Sequence, residues 1–150
     1  MKKVICLILF MVCAGCVTVK IPKYLRDEFP YEKKYYASYE DTLNATLEAL
    51  KNLGWKISDT SHPAVFEQEG LIPGEESKQI LIFTNVRQTP LLLSSRYMSL
   101  NIYVWSLNKS TDVEIRYFSV TPALFKSIQS YKNDPVVEKI FNRISELLEK

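Results

Sequence analysis

Beyond residue 16 the sequence contains no cysteine, and over its whole length it has one histidine, His62, and four glycines. Neither a Cys/His zinc site nor a disulfide framework is therefore expected in the main body of the chain. The sequence also lacks the glycine-rich loops that bind phosphate and the Gly-x-Ser-x-Gly turn of hydrolases. We predict no catalytic residue, no metal and no cofactor, and a protein that is not an enzyme.

The nearest approach to a catalytic pattern is the turn that contains Asp59, Ser61 and His62. A hydrolase would need the imidazole beside a carboxylate, with an exposed serine in a cleft, because a triad is defined by three-dimensional roles. A histidine that only shapes the turn is the simpler interpretation.

All three cysteines, Cys6, Cys13 and Cys16, lie in the first 16 residues. This segment starts with two lysines after Met1, continues with an apolar run over 4–12 and ends in small residues. Such a layout is typical of a secretory signal. A signal peptide is therefore predicted over 1–15.

The end of this segment, Cys13-Ala14-Gly15-Cys16, resembles the lipobox of bacterial lipoprotein precursors, although leucine is usual where Cys13 stands. In that family the last cysteine carries a diacylglycerol thioether, the signal is cut before it, and its new amino group is usually acylated. The resemblance implies lipidation of Cys16, with palmitate-type chains as the anchor. Because Val17 and not Asp follows, it favours the outer membrane, with the protein facing the periplasm.

Two alternatives remain open for this segment: an uncleaved N-terminal helix, and a disulfide between Cys13 and Cys16. A transmembrane helix needs about 20 apolar residues, whereas the run over 4–19 has 16 and includes a glycine and a threonine. If lipid is attached to Cys16, the mature protein has no free thiol.

The remainder divides into a predicted lipid-anchored tether over 16–34 and a single domain over 35–150. The tether has two prolines, no sustained period and basic residues interleaved with acidic ones. It is interpreted as a solvated linker or, alternatively, as a basic segment that contacts anionic headgroups.

The charge of the mature protein is balanced, because its 17 acidic residues are matched once Lys2 and Lys3 leave with the signal. A neutral protein lacks the positive field on which nucleic-acid binding depends. The expected partners are the membrane, through the lipid, and an envelope protein.

A helix is predicted over about 39–53, where apolar residues recur every three or four positions. Ser38 and Asp41 form a capping-box pattern at its start, and Gly54 is suited to the left-handed conformation that ends a helix. Thr121-Pro122 and Asp134-Pro135 each resemble a cap followed by a proline at the first helical position, so two helices are predicted to close the chain.

Strands are predicted between these helices, over 55–60, 64–69 and 79–87, followed by a hairpin of 96–107 with 112–120. The predicted register places Val104 opposite Ile115 and Ile102 opposite Tyr117 on the core side. On the other side it places Tyr103 opposite Arg116 and Trp105 opposite Glu114.

The predicted fold is therefore α+β and two-layered, with an antiparallel sheet of about four to five strands packed by an N-terminal and a C-terminal helix. Leu53-Gly54-Trp55-Lys56-Ile57 after the first helix, together with the amphipathic last helix, loosely resembles small bacterial lipoproteins with a helix–grip domain.

The candidate partner face is the second side of the hairpin, which mixes aromatic rings with arginine: Tyr103, Trp105, Arg116 and Phe118. Tyr, Trp and Arg dominate binding energy at protein interfaces. Alternatively, these rings cover neighbouring strands or are covered by a helix.

We predict an envelope lipoprotein that acts as a non-enzymatic interaction or assembly module. The alternative is a binder of a small apolar ligand between sheet and helix, with a cavity lined by Leu47, Leu50, Ile102 and Ile115.

Overall fold

The structure, a computed structural model, describes residues 19–66, 78–92, 94–123 and 126–149. The predicted signal segment and Cys16 lie outside these residues. Within them the chain folds as α+β, with a seven-stranded antiparallel open sheet and one helix towards each end of the chain. The elements are β1 (Tyr31–Tyr35), α1 (Tyr39–Asn52), β2 (Ile57–Ser61), β3 (Gln79–Thr84), β4 (Arg87–Pro90), β5 (Ser95–Leu107), β6 (Ser110–Pro122), β7 (Ser127–Ser130) and α2 (Asp134–Leu148).

The two long strands β5 and β6 form the centre of the sheet, and each is flanked by two shorter strands in succession. Near the β5–β6 turn, β6 pairs with β1, and β5 pairs with β3, which in turn pairs with β2. Towards the opposite end, β6 pairs with β7 and β5 pairs with β4. We call this opposite end, where the β4–β5 and β6–β7 turns lie, the double-turn end.

Both helices contribute to the main hydrophobic core, which lies on one face of the sheet. The even-numbered side chains of β5 from Met98 to Val104 and the odd-numbered ones of β6 from Val113 to Tyr117 point into this core. Leu50 of α1 and Ile140 of α2 are fully buried against them. The predicted division of the hairpin into two faces is confirmed.

The first helix is confirmed over Tyr39–Asn52, and its two ends have the predicted chemistry. The Ser38 hydroxyl accepts a hydrogen bond from the Asp41 amide at 3.1 Å and donates one to the Asp41 carboxylate at 2.6 Å. Gly54 has φ +77°, a conformation that side chains other than glycine rarely adopt. The chain therefore leaves α1 abruptly and enters β2.

The predicted hairpin register is wrong by two residues. Leu107 pairs with Ser110, and Ile102 lies opposite Ile115, because the connection is a two-residue turn in which Asn108 adopts φ 56°. Asparagine tolerates this left-handed conformation better than most residues. A shift of two keeps every side chain on its predicted face. The pairs on the other face are Tyr103 with Glu114 and Trp105 with Asp112.

Three other elements differ from the prediction. Residues 63–65 form a short 3₁₀ helix where a strand over 64–69 was expected, while 67–69 lie outside the described residues. The strand over 79–87 ends at Thr84, and Arg87 begins β4. Thr121-Pro122 ends β6 and does not start a helix. A proline at the end of a strand is compatible with this, because it need not donate a hydrogen bond to a neighbouring strand there. The α+β antiparallel fold is confirmed, but four to five strands is too low a count.

The last helix is confirmed over Asp134–Leu148, with a different cap. The Asn133 side chain accepts a hydrogen bond from the Val136 amide, so Asn133 caps the helix and Asp134 is its first residue. The Tyr31 hydroxyl of β1 donates to the Asp134 carboxylate and accepts from the Asn133 amide. The pKa of Tyr31 is raised to about 12, mainly by burial and next by the hydrogen bond to Asp134. This junction joins β1 to α2.

The folded part of the chain begins earlier than the predicted domain boundary at residue 35. β1 occupies 31–35, inside the segment expected to be a tether, and it pairs with β6 over its full length. Tyr35 is buried, and its hydroxyl donates to the Phe141 carbonyl of α2 at 3.0 Å. This strand has five residues, and two of them are adjacent lysines, so apolar and polar residues do not alternate clearly. The sequence alone therefore does not distinguish it from a linker.

The core assignment predicts that Ile102→Ala lowers the free energy of unfolding by about 2–5 kcal/mol, because a fully buried side chain is removed from close packing. The matched control is Ile128→Ala in β7, where the side chain is 56% exposed and the change should stay within about 0.5 kcal/mol. Urea titration followed by tryptophan fluorescence measures both. Equal losses in the two variants would contradict the assignment.

Candidate functional site: the strap on the outer face of the sheet

The face of the sheet opposite the helices, here called the outer face, is covered by the N-terminal segment. Residues 19–30, which we call the strap, have no regular secondary structure and run across this face before β1 begins. Leu25 of the strap is 1% exposed and packs with Phe118 and Val120 of β6. Burial of one leucine contributes about 1.5–3 kcal/mol, so the strap is held by more than polar contacts.

Asn101, in the middle of β5, fixes the strap backbone from below. Its side-chain oxygen accepts a hydrogen bond from the Leu25 amide at 2.7 Å, and its side-chain nitrogen donates to the Lys23 carbonyl at 3.1 Å. Asn101 is only 2% exposed. A buried amide is costly unless its donors and acceptors are paired, and the strap supplies partners for both ends of this one.

Arg116, on the neighbouring strand β6, makes the second polar attachment. Its guanidinium donates to the Leu25 carbonyl at 3.2 Å, to the Tyr24 hydroxyl at 2.8 Å and to the Glu114 carboxylate at 2.5 Å. Arg116 and Glu114 side chains are 10% and 12% exposed, respectively. Removing one partner of an ion pair as buried as this one destabilises a protein, because the other charge is left uncompensated. The strap shares this guanidinium with Glu114, so loss of Arg116 would affect both the ion pair and the strap.

Apolar contacts extend the attachment in both directions from Leu25. Val19 and Ile21 pack against the buried cluster that Leu25 forms with Phe118 and Val120, as does Tyr97 towards the double-turn end. In the other direction the Tyr24 ring stacks on Phe66 at 5.1 Å between centroids. Phe66 also contacts Phe83 edge-on at 5.2 Å. The 3₁₀ helix region therefore helps to cover the outer face.

A surface ion pair links the strap to β2. The Lys23 ammonium lies 2.7 Å from the Asp59 carboxylate of β2, and this hydrogen bond lowers the pKa of Asp59. Both side chains are at least half exposed. Exposed pairs of this kind contribute little to stability, so the pair orients the strap more than it holds it.

The structure places the four residues of the candidate partner face on the outer face, with Phe118 in one cluster and Tyr103 and Trp105 in another, and it does not leave them accessible. Tyr103, Arg116 and Phe118 are 6%, 8% and 1% exposed, and Trp105 is partly buried against the Tyr103 ring. The sequence predicted that this face makes contacts, with a partner protein or with other parts of the chain. The protein's own strap covers it, together with Phe66. A free docking surface for another protein is therefore not found at these four residues.

The polar residues of the 59–62 turn have separate partners. The His62 Nδ1 accepts a hydrogen bond from the Ala64 amide at 3.2 Å and so caps the 3₁₀ helix. The Asp59 carboxylate contacts Lys23, and the Ser61 hydroxyl donates to the His62 carbonyl at 3.4 Å. These contacts support the interpretation of His62 as a turn residue. Among the described residues, no group of three or more His, Cys, Asp or Glu is arranged to hold a metal ion.

The residues expected to line a ligand cavity lie in two different places. Leu50, Ile102 and Ile115 are fully buried in the same packed cluster. Leu47 instead borders an open depression of about 890 Å³ on the flank of α1, together with exposed residues such as Asn44 and Glu48. The described core therefore offers no support for a ligand between sheet and helix at these positions.

Comparisons with known proteins add no relative to this description: no family model matches the chain, and no curated protein matches it significantly. The resemblance of residues 13–16 to a lipobox, and of the domain to helix–grip lipoproteins, therefore stays a prediction. Within the described residues, no helix is both long and apolar enough to span a membrane.

Sequence reasoning missed the strap, and two signals in the sequence pointed to it. Asn101 stands among β-forming residues at the centre of a strand, where an unpaired amide would be destabilising. Leu25 and Ile21 are apolar residues in a segment that a solvated linker would not need. Without the fold, however, nothing in the sequence shows that Asn101 and Leu25 contact each other.

The docked strap predicts that Asn101→Ala accelerates hydrogen exchange at the Leu25 amide by about tenfold or more, because the net contribution of a buried hydrogen bond is about 1 kcal/mol and a second bond to Lys23 is lost with it. Asn44→Ala, on the exposed side of α1, is the matched control. Unchanged exchange at Leu25 in a folded Asn101→Ala protein would show that Asn101 does not hold the strap.

Proposed function

We propose that this chain is a bacterial lipoprotein, held on an envelope membrane by lipid on Cys16, whose α+β domain acts as a non-enzymatic interaction or assembly module. The observation that supports it best is the lipobox-like sequence Cys13-Ala14-Gly15-Cys16, and the docked strap adds that the folded domain begins close to it. Only two residues, Val17 and Thr18, separate Cys16 from Val19, the first residue described against the sheet. A lipid on Cys16 would thus be attached to the folded body almost directly.

The short link changes how such an anchor works. Three residues extend at most about 10 Å, at ~3.3 Å per residue, whereas a free tether over 16–34 would reach several times as far. An anchor of two or more acyl chains binds a bilayer stably. The domain would therefore be held close to the membrane surface and in a restricted orientation.

The proposed location is the outer membrane, with the domain in the periplasm. It rests on Val17, which stands where lipoproteins retained in the inner membrane often carry Asp. An oxidising compartment is compatible with a domain that has no cysteine and depends on its packed core.

The module role is proposed on the chemistry of the described residues. His62 is used as a cap, and Asp59 pairs with Lys23, so the side chains nearest to a catalytic pattern have structural partners. Because the strap covers the former candidate face, a partner protein in the envelope would meet other surfaces. The exposed flank of α1, with its open depression, is one that faces away from the strap.

The anchor is tested with Cys16→Ser. We expect this variant to keep its signal peptide and to carry no lipid, because the thioether, on which cleavage of a lipoprotein signal depends, cannot form. Cys13→Leu is the matched control, since it restores the residue that is usual in a lipobox, and it should be processed and recovered as before. Mass analysis of the mature N-terminus measures both. A Cys16→Ser protein that is still trimmed and membrane-bound would refute the anchor.

The module role is tested by photo-crosslinking in intact cells. A photoreactive residue is placed, one position at a time, at exposed sites around the domain: Tyr36, Glu48, Lys51 and Lys56. We expect adducts with a discrete envelope protein from neighbouring positions only, and their loss in the Cys16→Ser background. The absence of a protein adduct at every position would contradict an interaction module.

A further inference from the structure

The double-turn end of the sheet brings three segments to one place. Tyr97 of β5 pairs with Gln88 of β4 on one side and with Val120 of β6 on the other, and Val120 also pairs with Gln129 of β7. Both turns follow this row within a few residues. Since neighbouring strands lie about 4.8 Å apart, the two turns lie only about 10 Å from each other.

The start of the strap is the third segment at this end. Val19 and Ile21 pack against the buried cluster of Leu25, Phe118 and Val120, and Tyr97, in the centre of that row, packs against the same cluster. Cys16 therefore lies within about 10 Å of Val19 by chain length alone. Whatever is attached to Cys16 is close to the double-turn end.

The β4–β5 turn presents leucine to solvent. Leu92 is 97% exposed, and Leu91 is 42% exposed although its amide donates to the Ser94 carbonyl and holds the turn closed at 2.8 Å. Ile128 of β7, at 56%, is exposed near the same end, opposite Thr121 of β6. Exposed apolar side chains that lie next to each other can mark a site of contact with a membrane or another molecule.

The segments that form this end carry basic side chains and no acidic ones. They are 19–26 of the strap, 85–99 with β4 and the first part of β5, and 117–133 with the last part of β6 and β7. From outside these segments, Asp59 pairs with Lys23 and Asp27 with Lys132. Lys20, Arg96 and Lys126 are exposed in these segments. Basic side chains beside exposed leucines are typical of surfaces that bind anionic membranes.

We propose that the double-turn end lies on an anionic phospholipid bilayer, with Leu91 and Leu92 in the interfacial region and Lys20, Arg96 and Lys126 against the phosphates. This inference rests on the proposed lipidation of Cys16, which places the same end of the sheet at the membrane. Lipid and leucines would then form two separate points of contact, and two points fix the tilt of the domain where one would leave it free to rotate.

The test uses the full lipoprotein, purified and reconstituted in vesicles of phosphatidylethanolamine and phosphatidylglycerol. Because lipid occupies Cys16 and the signal cysteines are removed, Leu92→Cys gives a single site for a nitroxide label. Tyr36→Cys is the matched control: it is 89% exposed and follows β1 at the other end of the sheet, beside the β5–β6 turn. Collisions with oxygen, which concentrates in lipid, and with a water-soluble nickel complex measure the depth of each label.

We expect the Leu92 label to be at least several-fold more shielded from nickel than the Tyr36 label, and to collide more often with oxygen. In the background Arg96→Gln with Lys126→Gln, we expect that shielding to fall several-fold. Equal nickel access at the two labels, in protein that floats with vesicles and carries lipid by mass analysis, would overturn this inference alone. Protein without lipid on Cys16 that does not float would overturn the proposed function and this inference together. If the Leu92 label is shielded from nickel to the same extent in the Arg96→Gln with Lys126→Gln background, the proposed contact of these two side chains with lipid phosphates is overturned.

Discussion

The docking of the strap on the outer face is the contact on which the rest of the structure depends. Helices cover one face of the sheet, so its other face would be exposed to water without a further covering segment. That face carries the apolar side chains of Phe118, Tyr103 and Leu81, whose exposure to water is unfavourable. The chain covers them with twelve residues that have no helix or strand of their own. Such a segment cannot satisfy its backbone by regular pairing, so the sheet must supply the missing partners. Asn101 and Arg116 supply partners for the Lys23 carbonyl and for the amide and carbonyl of Leu25.

The same constraint explains why polar residues lie at the centre of an otherwise apolar sheet. Asn101 and Arg116 lie directly opposite each other on the paired strands β5 and β6. They face Leu25 from two sides, and their hydrogen bonds satisfy its amide and its carbonyl. Replacing either one by an apolar residue would preserve the burial and lose the position of the strap. Polar groups at such sites specify one arrangement among several that have similar apolar contacts.

The sequence predicted those parts of the fold in which local chemistry and tertiary structure agree. α1 has its cap, its apolar stripe and its glycine stop, and all three were visible before the fold was known. The two faces of the hairpin follow from alternation alone, because a shift of two residues leaves them unchanged. The register does not follow, since it depends on the left-handed conformation of Asn108. β1 and β7 are short, contain exposed residues and are stabilised by β6, so their own residues carry little signal.

For the candidate site, the sequence identified residues that make contacts and left open whether a second protein or the same chain covers them. Aromatic rings beside arginine indicate a surface that makes specific contacts, and they do so equally for a second protein and for a distant part of the same chain. Only the fold distinguishes the two cases, because Tyr24 and Arg116 are 92 positions apart and meet through the geometry of the sheet. Once the strap occupies this face, its entry point is determined as well. Val19 packs towards the end of the sheet that has exposed leucines and exposed basic residues, so the contacts that complete the domain also decide which end of it lies nearest to Cys16.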